Sequence, residues 1–216
     1  MEIFLDTANV DEVATYADII NGVTTNPSLI AKSRCNDLCE HIIKICRLVS
    51  GLVSVEVSSI EYDSMLAEGK MLAKIHDNVC VKLPCTRDGL KACKQLSTAG
   101  IPTNMTLCFS PPQALLAAKC GATYVSPFVG RLDDTGYDGM SLVEDIVNIY
   151  KAQKYGTKIL VASIRSPQHV TQAAMLGADA VTMPPQILWQ CFEHPFTVKG
   201  LEIFAKDVKD LSKSVS

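Results

Sequence analysis

The stretch "NVCVKLPCT", Asn78–Thr86, sets one lysine inside a run that otherwise has the character of a buried strand. Val79, Val81 and Leu83 alternate with Cys80, Lys82 and Pro84, and a period of two marks a strand with two different faces. One face is aliphatic. The other carries an ammonium group that loses most of its hydration on burial, so it must pair with a carboxylate or give up its proton.

Similar runs recur on both sides of it. "EIFLDT", "GVTTN", "VSVEVS", "PTNMTLCF", "YVSPFV", "KILVAS" and "AVTMP" bring the strand candidates to eight. Helical periodicity fills the intervals, with recognisable ends. "NVDEVATYADII" begins with Asn9 as a cap and has acidic residues in its first turn. "SPPQALLAAKCGA" and "SPQHVTQAAMLGA" both open on a serine cap with proline at the first helical position, and both stop at glycine. Strict alternation of strand and helix implies parallel strands joined by right-handed crossovers. Eight such units predict an α/β chain of the (β/α)8 TIM-barrel class, at 216 residues near the lower end of that fold's range. An open doubly wound sheet is the alternative, but it wants a glycine-rich phosphate loop after the first strand, and "LDTANVDE" has none. No linker or composition break divides the chain. We expect one barrel domain over residues 1–216, with 197–211, "TVKGLEIFAKDVKDL", an amphipathic C-terminal helix able to pack on a neighbouring subunit.

The chain is 48% hydrophobic and 20% charged, enough apolar material for a sizeable core. A net charge of -3 and a pI near 5.8, with Lys and Arg spread from Lys32 to Lys213, give no basic face for nucleic acid. No apolar run approaches the roughly 18 residues that suggest a membrane span. The start, "MEIFLDTANV", is acidic and does not read as a secretory signal. Nine cysteines, an odd number without a CxxC, with Cys46, Cys80 and Cys108 in apolar runs, read as reduced and buried. A cytoplasmic protein is expected.

Strand parity sorts the rest. The pairs Ile3/Leu5, Val55/Val57, Met105/Leu107, Val125/Val129 and Leu160/Ala162 join Val79/Val81/Leu83 on a parity expected to face the outer helices. The opposite parity carries Asp6, Thr24/Asn26, Ser54/Glu56, Lys82, Asn104/Thr106, Ser126/Phe128, Ser163 and Thr182. In a barrel it faces inward, and these residues lie toward the C-terminal ends of their strands, where barrel active sites are built.

The inward set holds no histidine; His41, His76, His169 and His194 fall in helical stretches or loops. Asp6 and Glu56 beside a cationic lysine make a poor metal cage, so no metal and no cofactor is expected. Cys85 and Cys108 have no histidine in the barrel mouth to activate them. A buried lysine has two readings here. As a free amine it attacks a carbonyl to give a Schiff base, whose protonated form is an electron sink for carbon–carbon cleavage, with Asp6 and Glu56 moving protons and Thr106 holding a water. As a structural residue it is the ion-pair partner of Asp6 or Glu56. Beyond strands six and seven, Arg131 and Arg165 stand near the helix start at Ser166-Pro167 with Ser163 pointing inward, a set suited to a phosphate.

"LDTAN", "GVTTNPSLI", "SVEVS", "VKLPCTRDGL", "GIPTNMTLCFS", "YVSPFVGRLDD" and "GADAVTMP", in this order from Met1 to about Lys209, resemble the transaldolase family, and within it the short subfamily that includes the fructose-6-phosphate aldolases. The resemblance implies that Lys82 forms the Schiff base and that Asp6 is the acid/base of carbon–carbon cleavage. It implies that Glu56 and Thr106 hold the catalytic water, that Asn26, Asn104 and Ser126 contact the donor, and that Arg131, Ser163 and Arg165 bind phosphate. It further implies transfer of a dihydroxyacetone unit from a ketose phosphate (sedoheptulose 7-phosphate or fructose 6-phosphate) to an aldose phosphate (glyceraldehyde 3-phosphate or erythrose 4-phosphate). Such a step belongs to the non-oxidative pentose phosphate pathway, needs no cofactor, and in short members is carried out by pentamer-based homo-oligomers, often decamers. The aldolases resemble this chain but carry glutamine at the position of Glu56 and tyrosine at that of Phe128, so both positions favour transfer over the alternative, fructose-6-phosphate cleavage. A barrel kept only as a binding or scaffold protein would have lost Lys82, Asp6 or Glu56, and all three are present.

Overall fold

In the computed structural model, which describes residues 1–214, each of the eight apolar runs forms a strand. They are β1 (Glu2–Asp6), β2 (Gly22–Thr24), β3 (Val53–Glu56), β4 (Val79–Pro84), β5 (Thr103–Cys108), β6 (Tyr124–Pro127), β7 (Lys158–Val161) and β8 (Ala180–Met183). The pairing is parallel throughout and the sheet closes, with β1 meeting β8 from Glu2↔Ala180 to Leu5↔Met183. The helices α1 (Val10–Tyr16), α2 (Pro27–Ser33), α3 (Leu38–Cys46), α4 (Tyr62–Leu72), α5 (Arg87–Thr98) and α6 (Pro111–Lys119) follow the first five strands. After β6 come α7 (Val129–Asp133) and α8 (Gly139–Gln153), then α9 (Pro167–Leu176), α10 (Pro185–Phe192) and α11 (Pro195–Ser214). The result is a (β/α)8 barrel, and its closure rules out the open sheet. Positions 215 and 216 of the expected domain lie outside the described residues.

The helix ends follow from their sequences. Asn9, Ser110 and Ser166 cap α1, α6 and α9 by accepting the backbone N–H groups of Asp11, Gln113 and His169. The stops after α6 and α9 place Gly121 and Gly177 at φ 81° and 85°, a region that glycine enters without strain.

The barrel wall separates two cores. Outside it, Val79, Val81 and Leu83 of β4 are at most 2% exposed and belong to the aliphatic layer beneath the helices. Inside, Phe4, Cys80, Tyr124, Leu160 and Ala180 form an apolar floor. A Cβ on Gly22 would lie 2.5 Å from the Phe4 ring and 2.4 Å from the Leu52 carbonyl, so only glycine leaves room for that floor.

Two parity expectations fail. Leu160 lies in the inner floor and Ala162 lines the inner cavity, while Ile159 and Val161 pack outward. "KILV" is apolar on both faces, and polarity alone carries no sign of which turns inward. In β5 the pairing with β6 shifts between Met105 and Cys108, and Leu107 takes φ 55°. That irregularity leaves Leu107 half-buried and puts Cys108 into the helix-facing core at 0% exposure.

Cys46, Cys80 and Cys108 are buried as expected, whereas Cys39 and Cys191 are exposed; all nine cysteines are free thiols. Among the described residues no helix is long and apolar enough to cross a membrane. The expected C-terminal helix extends from Pro195 to Ser214, and Phe196, Val198, Leu201, Phe204 and Val208 on it are each more than half exposed.

Candidate active site

A cavity of about 230 Å³ opens at the C-terminal ends of the strands. Asp6, Asn26, Lys82, Asn104, Ser126, Phe128, Arg131, Ser163 and Arg165 line it, together with Thr24 and Thr182. Strand register explains the convergence. Glu56, Lys82 and Asn104 are paired partners across β3, β4 and β5, so their side chains form one layer of the barrel. Asp6 and Thr24 are likewise paired across β1 and β2.

Lys82 is 5% exposed. Its Nζ lies 3.0 Å from Glu56 Oε2 and donates to the Thr25 carbonyl at 2.9 Å. The ion-pair partner of Lys82 is therefore Glu56, while Asp6 feels the lysine through its charge. Burial pushes the Asp6 carboxyl above its ordinary value, and the Thr24 hydroxyl and the Lys82 charge offset this only in part. Asp6 Oδ1 accepts from Thr24 Oγ1 at 2.7 Å.

The polar wall beside the lysine is cross-linked. Asn104 donates from Nδ2 to Ser54 Oγ at 3.0 Å and accepts at Oδ1 from Ser126 Oγ at 2.7 Å. Asn26 lines the cavity and also caps α2, its Oδ1 taking the Leu29 N–H at 3.0 Å. Glu56 reaches the cavity through Lys82 and is not part of the lining. Thr106 sits deeper, 0% exposed, and its Oγ1 has no hydrogen-bond partner in the protein. A buried hydroxyl left unpaired costs about 1–3 kcal/mol, so such a group marks a place where a small polar molecule is welcome.

The mouth is cationic. Arg131, on the short helix α7, sets its guanidinium 5.1 Å from the Phe128 ring, which is also held edge-on by Phe109 at 5.7 Å. Arg165 donates from Nη2 to Asp134 at 3.1 Å at the exposed rim. Ser163 adopts φ 60°, a left-handed conformation uncommon for a side chain and found often at functional sites. Its carbonyl accepts from Gly130 N at 3.0 Å. A Cβ at Gly130 would lie 2.3 Å from that carbonyl and 2.6 Å from the Arg165 side chain, so α7 can pass under Arg165 only as glycine.

Nine of the eleven residues nominated from sequence thus meet in one cavity, with Glu56 and Thr106 behind them. Thr24 and Thr182 were not nominated, although their inward parity carried the signal. They meet each other at 2.6 Å.

The comparisons agree with one another. The family model described as Transaldolase/Fructose-6-phosphate aldolase matches residues 3–215. A protein of Brucella anthropi is 54% identical over 209 residues, 96% of each chain. One of Caulobacter vibrioides is 53% identical over the whole of both chains, and one of Chlorobium limicola 53% identical over 99% of this chain and all of that protein. Each is named "Probable transaldolase". Among solved structures, a mandelate oxidase aligns with TM-score 0.60 over 87% of this chain and 65% of its own, at 14% identity, a likeness of fold alone.

Proposed function

The chain belongs to the transaldolase/fructose-6-phosphate aldolase family and is a transaldolase enzyme, and from that premise we propose that Lys82 carries the transferred dihydroxyacetone unit as an imine. The observation that carries this reading is the buried Nζ of Lys82, held 3.0 Å from Glu56 and opening into a cavity that Asp6 shares.

The proposed chemistry starts when the Lys82 amine attacks the C2 carbonyl of a ketose phosphate. Glu56 accepts the proton that the amine sheds, and a water held between Glu56 and Thr106 relays protons as the carbinolamine loses hydroxide as water. The protonated imine withdraws electrons, as a metal would in other aldolases. Asp6 then takes the proton of the C4 hydroxyl, the C3–C4 bond breaks, and its electron pair enters the imine to leave an enamine on Lys82. The aldose phosphate departs. An acceptor aldose phosphate enters, the enamine carbon attacks its carbonyl, and Asp6 returns the proton to the new hydroxyl. Hydrolysis of the imine frees the product ketose and the lysine.

Asn26, Asn104 and Ser126 suit the donor hydroxyls, since each offers polar atoms on the cavity wall beside Lys82. Arg131 and Arg165 suit the phosphate at the mouth, where Ser163 also lines the cavity. The donors in this reading are sedoheptulose 7-phosphate or fructose 6-phosphate and the acceptors glyceraldehyde 3-phosphate or erythrose 4-phosphate, a step of the non-oxidative pentose phosphate pathway. Free thiols at all nine cysteines fit a cytoplasmic setting. The exposed apolar residues of α11 fit a homo-oligomer, pentamer or decamer, in which this helix packs on a neighbouring subunit.

Reduction with borohydride during incubation with fructose 6-phosphate tests the assignment. A reduced three-carbon adduct mapping to Lys82 is expected, and Lys82→Met abolishes both adduct and turnover with the fold retained. An adduct on another lysine, or full activity in Lys82→Met, overturns it.

A further inference from the structure

We propose that Thr182 is a positioning residue for proton transfer at Asp6, acting through the hydroxyl of Thr24; this rests on the acid/base reading of Asp6 above. Thr182 is on β8 and Thr24 on β2, the two strands that flank β1. Their hydroxyls meet at 2.6 Å in front of β1, and Thr24 Oγ1 lies 2.7 Å from Asp6 Oδ1. Both threonines are buried, at 2% and 4% exposure.

Counting protons gives the direction of the chain. A hydroxyl has one proton to donate, and an ionised carboxylate only accepts. Thr24 therefore spends its proton on Asp6, and the proton between the two threonines must come from Thr182. The order is Thr182 to Thr24 to Asp6. Donation into Thr24 polarises its O–H and strengthens the bond that it gives the carboxylate. While Asp6 is ionised, Oδ1 is committed as an acceptor, and Oδ2 is the oxygen left to take a proton from a bound sugar. The other charge that acts on Asp6 is that of Lys82 from β4, with Glu56 of β3 paired to it, while Arg131 and Arg165 line the same cavity. None of them is altered by a change at Thr182.

Removing the Thr182 hydroxyl withdraws a donor from the chain that favours the ionised form, so the carboxyl of Asp6 becomes harder to ionise. Cleavage needs ionised Asp6, and its acid limb moves to higher pH. Imine formation does not use Asp6 in this scheme and is left alone. A threonine that merely fills the barrel wall would affect thermal stability and leave the pH profile in place.

The test compares wild type with Thr182→Val, which keeps the shape, Thr182→Ala, which removes the same donor at smaller volume, and Thr182→Ser, which restores it. For fructose 6-phosphate with erythrose 4-phosphate, kcat in the valine and alanine variants is expected to fall about threefold to tenfold, with KM within about twofold. The acid limb of kcat/KM moves up by about half a pH unit. Serine returns both toward wild type. Borohydride trapping of dihydroxyacetone, which has no C3–C4 bond to cleave, proceeds at the wild-type rate in all of them. Unshifted acid limbs in both the valine and alanine variants, or a serine variant as impaired as valine, overturn the proposal. A wild type that traps nothing on Lys82 overturns the imine reading itself, and the proposal with it.

Discussion

Asp6 holds its carboxyl above the ordinary value because burial outweighs the Thr24 hydrogen bond and the Lys82 charge. The folded protein therefore binds this proton more tightly than the unfolded chain does. The stability this contributes is present in full below the ordinary value of 3.8 and is lost as pH rises through the raised one. Asp6→Asn removes the ionisation and keeps an acceptor for Thr24. We expect turnover to be lost and the Tm at neutral pH to rise above wild type, with the difference closing in acid; a Tm below wild type at neutral pH would contradict this. Phe128 is the second residue whose chemistry is separable. Its ring, held by Phe109 and Arg131, puts no hydroxyl into the cavity it lines. Phe128→Tyr adds one at nearly unchanged ring volume, which gives a water a place to sit near the covalent intermediate. Release of glyceraldehyde 3-phosphate without acceptor should rise about tenfold, and transfer to erythrose 4-phosphate should fall. A wild type that already cleaves as fast as it transfers would favour the aldolase alternative.

At the scale of elements, the lysine strand does two jobs at once. Val79, Val81 and Leu83 fasten β4 to the outer core, and the same alternation holds Lys82 on the inner face between Glu56 and Asn104. Across the mouth, α7 and the segment after β7 are locked by the Gly130–Ser163 hydrogen bond, and Arg165 lies over the glycine. Gly130→Ala would drive a methyl group into both the carbonyl and the arginine side chain. The expected result is a loss of about 1.5–3 kcal/mol in binding phosphorylated substrates, the size of a charge-assisted hydrogen bond, with much less effect on unphosphorylated dihydroxyacetone. Equal losses on both would place the damage in the barrel as a whole.

Over the whole molecule, the barrel buries its apolar residues between strand wall and helices, while α11 leaves Phe196, Val198, Leu201, Phe204 and Val208 largely in solvent. If α11 packs on a neighbouring subunit, Leu201→Glu with Phe204→Glu should shift sedimentation from an oligomer toward the monomer. Lys82 lies in the barrel far along the chain from these positions, so borohydride trapping there should persist. A wild type that sediments as a monomer would remove the reason for the exposed stripe.

The local pattern in the sequence determined the number and order of the strands, the caps at Asn9, Ser110 and Ser166, and the polar ends of the strands, because these depend on neighbours within a few residues. It also brought Lys82, Asp6 and the mouth arginines to one end of the barrel, since parity and strand direction are local once closure is assumed. Which face of "KILV" turns inward was not legible, because both faces are apolar and only packing against Phe4, Cys80 and Tyr124 decides for Leu160. The choice of Glu56 over Asp6 as the partner of Lys82 was equally closed to sequence, since both carboxylates share its inward parity and only the strand register that pairs Glu56 with Lys82 brings Glu56 to 3.0 Å. The contact between Thr24 and Thr182 exists only because closure sets the last strand beside the first, joining hydroxyls 158 positions apart through a pairing that no local signal encodes.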